Sequence, residues 1–199
     1  MSTALYDAAK AVFRALFGVF WRMRVFGAHN VPASGPAIIA CNHLSYLDPP
    51  VLGAACPRRV AYMAKRQLFA IPVLGPLIAA VGAYPVDREG SASAAIRRSV
   101  QTLRKGEVVG IFPEGTRNLA GEAPLHGGVA LLASLAAAPV VPACVMGTKE
   151  AMRLRSIRVA FGAPLTLDRS RKATRDDLAK FTSEVMQTIR SLSESIGGD

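Results

Sequence analysis

Two polar runs in the 199-residue chain carry side chains suited to proton transfer and anion binding. The first is Asn42-His43-Leu44-Ser45-Tyr46-Leu47-Asp48. A histidine and an aspartate five positions apart do not share one face of a continuous helix. If His43 sits in a turn before a helix that Asp48 caps, the imidazole can fold back onto the carboxylate. That contact fixes the ring tautomer and stabilises the imidazolium, the arrangement of a general base. A histidine beside an aspartate can equally brace a loop, so the pair alone leaves both readings open. The second run is Phe112-Pro113-Glu114-Gly115-Thr116-Arg117-Asn118. Here Gly115 lets the backbone approach a ligand, Thr116 offers a hydroxyl and an N–H, and Arg117 offers a fork for phosphate. Glu114 can accept hydrogen bonds from substrate hydroxyls or hold the loop. A third run, Tyr84-Pro85-Val86-Asp87-Arg88, supplies a further phosphate candidate in Arg88, braced by Asp87.

These runs need elements to position them. Residues 36–41 read as a buried strand that delivers His43, and Pro49 after Asp48 fits the first position of a helix. Residues 107–112 read as a strand that delivers Glu114. Further strands are expected at 60–64, 84–87, 140–145 and 157–161, with helices at 93–105, 127–138 and 174–193. The segment 68–81 is apolar but broken by Pro72, Gly75 and Pro76. Strands alternating with helices predict a single α/β domain, a mixed sheet flanked by helices over residues 29–199. Both runs then follow strands, where α/β folds keep their sites. Ahead of them, residues 3–24 recur in apolar side chains at spacings of three and four. Lys10, Arg14, Arg22 and Arg24 are the basic residues there, and the pattern predicts an amphipathic helix, within a segment 1–28, that lies in a membrane interface.

The formal net charge is +10, from 24 basic and 14 acidic residues, and eighteen of the basic residues are arginine. Arginine suits planar recognition of phosphate and carboxylate, so an anionic partner is expected. No helix-turn-helix, zinc-finger or RNA-binding signature accompanies the charge, and aromatics make up only 7%, which argues against nucleic acid. Cys41, Cys56 and Cys144 are too few and too scattered for a disulfide scaffold or a zinc site, and read as buried reduced thiols. No stretch approaches the roughly 20 apolar residues of a membrane-spanning helix, and no signal-peptide layout is present. A peripheral protein on the cytoplasmic side of a membrane is the expectation.

Taken in order, the blocks resemble the glycerophosphate acyltransferase family, in particular its lysophosphatidic acid acyltransferase branch. The family pattern N-H-x-x-x-x-D is matched by Asn42, His43 and Asp48. An aliphatic-D-R element is matched by Val86, Asp87 and Arg88, F-P-E-G-T-R by Phe112 to Arg117, and a V-P element by Val141 and Pro142. Asn118 replaces the serine that usually ends the third block. His126 stands before Gly127, where a lysine is usual. The resemblance implies acyl transfer from a thioester, acyl-CoA or acyl-carrier protein, to the free hydroxyl of 1-acyl-glycerol-3-phosphate, with no cofactor. It makes His43 the base and Asp48 its orienting partner. It assigns the acceptor phosphate to Arg88 and Arg117, with Lys65 as a further candidate, and the acceptor site near the glycerol to Glu114, Gly115 and Thr116. Another lysolipid or glycerol-3-phosphate as acceptor, or a lipid-binding protein without catalysis, are the alternatives.

Overall fold

The elements follow in chain order as α1 (Thr3–Phe20), β1 (Arg24–Phe26), β2 (Ala37–Cys41), α2 (Asp48–Ala55), β3 (Val60–Lys65), α3 (Arg66–Phe69), α4 (Leu74–Ala80), β4 (Ala83–Val86), α5 (Ala92–Arg104), β5 (Val108–Ile111), α6 (Gly128–Ala136), β6 (Val140–Met146), β7 (Arg158–Phe161) and α7 (Arg175–Gly197). They are taken from a computed structural model that describes residues 3–72, 74–80, 82–86, 92–114, 128–168 and 170–197. The strands form one sheet in the order β1-β7-β6-β2-β5-β3-β4. All neighbours are parallel except β6 and β7, so the sheet is mixed, as the sequence predicts.

Period-two alternation sorts the strand side chains between two cores. In β2, Ile39 and Cys41 join a cluster with Val51 and Leu52 of α2 and Phe17 of α1. Ile38 and Ala40 join the opposite cluster, with Leu103 of α5, Leu132 of α6 and Val185 of α7. Helices therefore cover both faces of the sheet, which is why β2 and β5 are buried along their whole length and read as unbroken apolar runs. The last helix opens with a reciprocal capping pair. The Thr174 N–H donates to Asp177 Oδ2 at 2.8 Å, and the Asp177 N–H donates to Thr174 Oγ1 at 3.2 Å. Arg171 adds an ion pair at 2.8 Å, and these contacts hold the Asp177 carboxyl down at about 2.

The N-terminal region departs from its expectation. The helix ends at Phe20 rather than at 24, because Arg22 adopts the left-handed conformation, with φ 45°. The Met23 N–H turns back to the Phe17 carbonyl at 3.0 Å. Arg24–Phe26 then pairs with β7 at the sheet edge. This three-residue strand is too short to stand out against the helical pattern that precedes it. The helix itself lies across α2. The Tyr6 hydroxyl accepts the N–H of Val60 at 3.1 Å near one end, and the Trp21 indole donates to the Ala151 carbonyl at 2.8 Å beyond the other. Its packed side chains are Tyr6, Phe13 and Phe17, yet Leu5, Val12, Leu16, Val19 and Phe20 on its outer side are also apolar, and are exposed. Among the described residues no helix is long and apolar enough to cross a membrane.

One contact in the sheet reaches toward the site. Tyr62 of β3 is the register partner of Gly110 of β5, and its ring occupies the space a side chain at 110 would fill. A Cβ on Gly110 would stand 2.4 Å from that ring. The Tyr62 hydroxyl is buried without a hydrogen-bond partner among the described residues. Gly110→Ala is therefore expected to lower stability by roughly 1–3 kcal/mol through overpacking. Tyr62→Phe, which removes an unsatisfied buried group, leaves stability equal or higher. Urea unfolding of the two variants checks both.

Candidate active site

Because β2, β5 and β6 are parallel neighbours, Cys41, Ile111 and Met146 all end at one edge of the sheet. Successive strands are added on one side of β2 and then on the other, so β2 is the point where the winding reverses. Open α/β sheets bind ligands at that edge and that point. Three segments emerge there side by side: 42–48 after β2, 112–114 after β5, and 147–156 after β6.

Asn42 ties the first segment to its neighbour. Its Nδ2 donates to the Val145 carbonyl at 2.9 Å and its Oδ1 accepts the Val145 N–H at 2.8 Å. Asp48 then gathers the loop. It does not cap α2 in the expected way, since Leu47 holds the cap position and Asp48 lies in the first turn of the helix. Its carboxylate points back instead. Oδ2 accepts the N–H groups of Leu44 at 2.6 Å and Ser45 at 2.7 Å and meets His43 Nδ1 at 3.0 Å. Oδ1 accepts the Thr148 hydroxyl at 2.5 Å. The turn that brings the two N–H groups inward is closed by the Asp48 N–H on the Ser45 carbonyl at 3.2 Å. Asp48 is 0% exposed, so these donors replace water entirely.

The other contacts of Asp48 are all donors, and the ring contact is completed in the same sense, with Nδ1–H donating to Oδ2. That tautomer leaves the lone pair of His43 on Nε2. The ring is held on its face as well, stacked on Phe112 at 4.3 Å and 27°. Phe112 stacks in turn on Tyr62 at 6.4 Å and 17°. The His43 N–H donates to Glu114 Oε2 at 3.3 Å, so Glu114, itself buried, holds the loop. The His43 side chain keeps 17% exposure. Orientation, tautomer and partial access are the attributes of a general base.

The structure thus brings His43, Asp48 and Glu114 together. Lys65 ends β3 at the same edge, its Cα paired with Val86. Arg88, Gly115, Thr116 and Arg117, with Asp87 and His126, lie outside the described residues. Thr148 is the contributor that sequence reading missed. It reaches Asp48 because Gly147 turns the chain with φ 86°, at a point where a Cβ would stand 2.3 Å from the Ser156 carbonyl oxygen. The Met-Gly-Thr that follows a buried strand was the available signal. Nucleophiles nearby are otherwise engaged. The Ser45 hydroxyl accepts the Leu47 N–H at 3.2 Å. Burial pushes the Cys41 thiol well above its ordinary range and the Cys144 thiol up to about 11.

Residues 22–146 match the family model described as Acyltransferase. The 1-acyl-sn-glycerol-3-phosphate acyltransferase of Bacillus subtilis (strain 168) is 30% identical over 197 residues, covering 96% of this chain and 98% of that protein. The human 1-acyl-sn-glycerol-3-phosphate acyltransferase alpha is 37% identical over 131 residues, covering 64% of this chain and 46% of that protein. In fold, the chain is similar to the crystal structure of the 1-acyl-sn-glycerophosphate (LPA) acyltransferase PlsC from Thermotoga maritima. The TM-score is 0.75, over 94% of this chain and 79% of that one, at 23% identity. A buried aspartate and an oriented histidine at the reversal point of the sheet, in a chain most of which matches that family model, give one conclusion: the protein belongs to the Acyltransferase family and is an acyltransferase.

Proposed function

We propose that the protein transfers a fatty acyl group from a thioester to the free hydroxyl of 1-acyl-glycerol-3-phosphate, giving phosphatidic acid for phospholipid synthesis. The observation that carries this reading is the His43–Asp48 pair, with no hydrogen bond at Nε2 among the described residues, in a chain that matches the Bacillus enzyme over nearly its full length. In the reaction, His43 Nε2 takes the proton of the acceptor hydroxyl as its oxygen attacks the thioester carbonyl carbon. Asp48 stabilises the imidazolium that forms. The tetrahedral intermediate collapses with loss of the thiol, which leaves with the proton carried by His43. The acyl group passes directly between substrates, so no cofactor and no acyl-enzyme enter. Arg88, Arg117 and Lys65 are assigned to the acceptor phosphate, and Glu114, Gly115 and Thr116 to the surroundings of the glycerol. Acyl-CoA or acyl-carrier protein serves as donor.

The acceptor is a lipid, and the outer apolar side of α1 gives the protein a place to meet the membrane that holds it. Exposed Leu5, Val12, Leu16, Val19 and Phe20, with exposed Arg14 and Arg22, fit an anionic lipid surface approached from the cytoplasmic side. Lys10 contributes less than its sequence position suggests, because the residue is half-buried and its ammonium donates to the Pro57 carbonyl at 3.1 Å.

Purified protein incubated with lysophosphatidic acid, other lysolipids and glycerol-3-phosphate, each with acyl-CoA or acyl-carrier protein, is expected to yield phosphatidic acid as the main product by mass. Loss of the base in His43→Ala lowers the rate roughly 10²–10⁴-fold without loss of fold. A folded His43→Ala protein with the parent rate, or a product from glycerol-3-phosphate alone, contradicts the assignment. Iodoacetamide at neutral pH is expected to leave activity unchanged, because Cys41, Cys56 and Cys144 are all buried. Rapid inactivation protected by donor would instead indicate a thiol intermediate.

A further inference from the structure

The loop between β6 and β7 exposes apolar side chains where nothing in the catalytic arrangement calls for them. Met152 is 98% exposed and Leu154 is 57% exposed. Single exposed hydrophobic residues are ordinary. These two are not isolated, because the loop lies against the end of α1. The Trp21 indole donates to the Ala151 carbonyl, the Ile157 N–H donates to the Trp21 carbonyl at 2.9 Å, and the Ser156 hydroxyl donates to the Arg22 carbonyl at 3.4 Å. The end of α1, where Val19 and Phe20 are 74% and 53% exposed, is therefore tied to the loop that carries Met152 and Leu154. The rim is basic. Lys149, Arg153 and Arg155 are exposed on the loop and Arg22 beside it, with Glu150 as the one acid in residues 149–155, bonded to Arg155 at 2.9 Å.

The loop is also braced rather than slack. The N–H groups of Ala151, Arg153 and Leu154 return to the carbonyls of Thr148, Glu150 and Ala151 at 3.3, 2.9 and 2.9 Å. Leu154 is held in the left-handed region, with φ 51°, which disfavours a side chain with a Cβ. Met152 and Leu154 are thus presented outward on a fixed turn. That turn begins at Thr148, whose hydroxyl is bonded to Asp48.

We propose that residues 149–155 are a lipid-contact loop. Met152 and Leu154 insert among the acyl chains of an anionic bilayer, Lys149, Arg153 and Arg155 meet its phosphates, and the contact continues that of α1. This rests on the reading that the acceptor is a membrane lipid, and extends it. The loop is on the edge that carries His43, so its insertion turns that edge, rather than the flank of the sheet, toward the membrane. An apolar cluster with a cationic rim suits an interface where acyl chains lie below phosphates. A protein partner for the same cluster is an outcome of the test.

The test compares the full chain with the Met152→Ser, Leu154→Asn double variant in flotation with vesicles of equal phosphatidylglycerol and phosphatidylcholine. Loss of two inserted side chains is expected to weaken partitioning by about tenfold or more. Acyl transfer to vesicle-borne acceptor falls in parallel, while transfer to a short-chain acceptor below its micelle concentration stays at the parent rate. Arg153→Gln, a surface change that keeps the fold, weakens partitioning about fivefold, and added salt removes that difference. Partitioning within twofold of the parent for both variants overturns the proposal, as does equal loss of transfer to vesicle-borne and dissolved acceptors. Self-association of the parent that the double variant abolishes, with vesicle partitioning unchanged, assigns the cluster to a protein interface and also overturns it. Flotation is read without turnover, so a failure of the acceptor assignment leaves this result independent.

Discussion

The structure depends on one buried carboxylate. Asp48 has no exposed surface, and a charge withdrawn from water is costly unless donors converge on it. Four do: two backbone N–H groups of the loop that precedes it, the imidazole of His43, and the hydroxyl of Thr148 from the segment after β6. Each donor fixes a different thing. The backbone pair sets the path of the loop, the imidazole contact sets the ring tautomer, and Thr148 ties the segment after β6 to the segment after β2. One set of bonds therefore supplies both the local fold and the alignment of the imidazole.

The remainder of the fold can be read as what keeps that cluster in place. Parallel pairing of β2 with β5 and β6 makes three segments emerge at one edge, and Asn42 locks two of them together through the backbone of Val145. The aromatic column of Tyr62, Phe112 and His43 carries packing from the core to the ring, and it needs the bare backbone of Gly110 beneath it. Glu114 closes the arrangement by accepting the His43 N–H. The ring is thus held on its buried side, while the His43 side chain keeps 17% exposure.

Much of this was legible in the sequence because its signals are local. Buried parallel strands are apolar runs, and those of β2, β5 and β6 stand out between polar segments. The fold class, the placement of His43 after a strand and the contact of His43 with Asp48 follow from such runs and from spacing. The parts that were not legible depend on tertiary partners. Asp48 in a cap-like position gives no sign that its Oδ1 accepts the hydroxyl of Thr148, a hundred residues away. Arg24–Phe26 joins the sheet only because β7 offers it an edge. The N-terminal helix was expected to be apolar on one side. It is apolar on its outer side too, which spacing alone conceals when aliphatic residues are frequent.

The central claim is that Asp48 sets the tautomer of His43 and so points a free Nε2 toward the acceptor. Nitrogen-15 NMR of the histidine ring measures this directly, in the pH range where the ring is neutral. The expected spectrum has His43 Nδ1 in the protonated, pyrrole-like range and Nε2 in the pyridine-like range. In Asp48→Asn that preference weakens or reverses, because an amide can donate to Nδ1. A neutral His43 that carries its proton on Nε2 in the parent protein, or a tautomer that does not change in Asp48→Asn, would contradict the account.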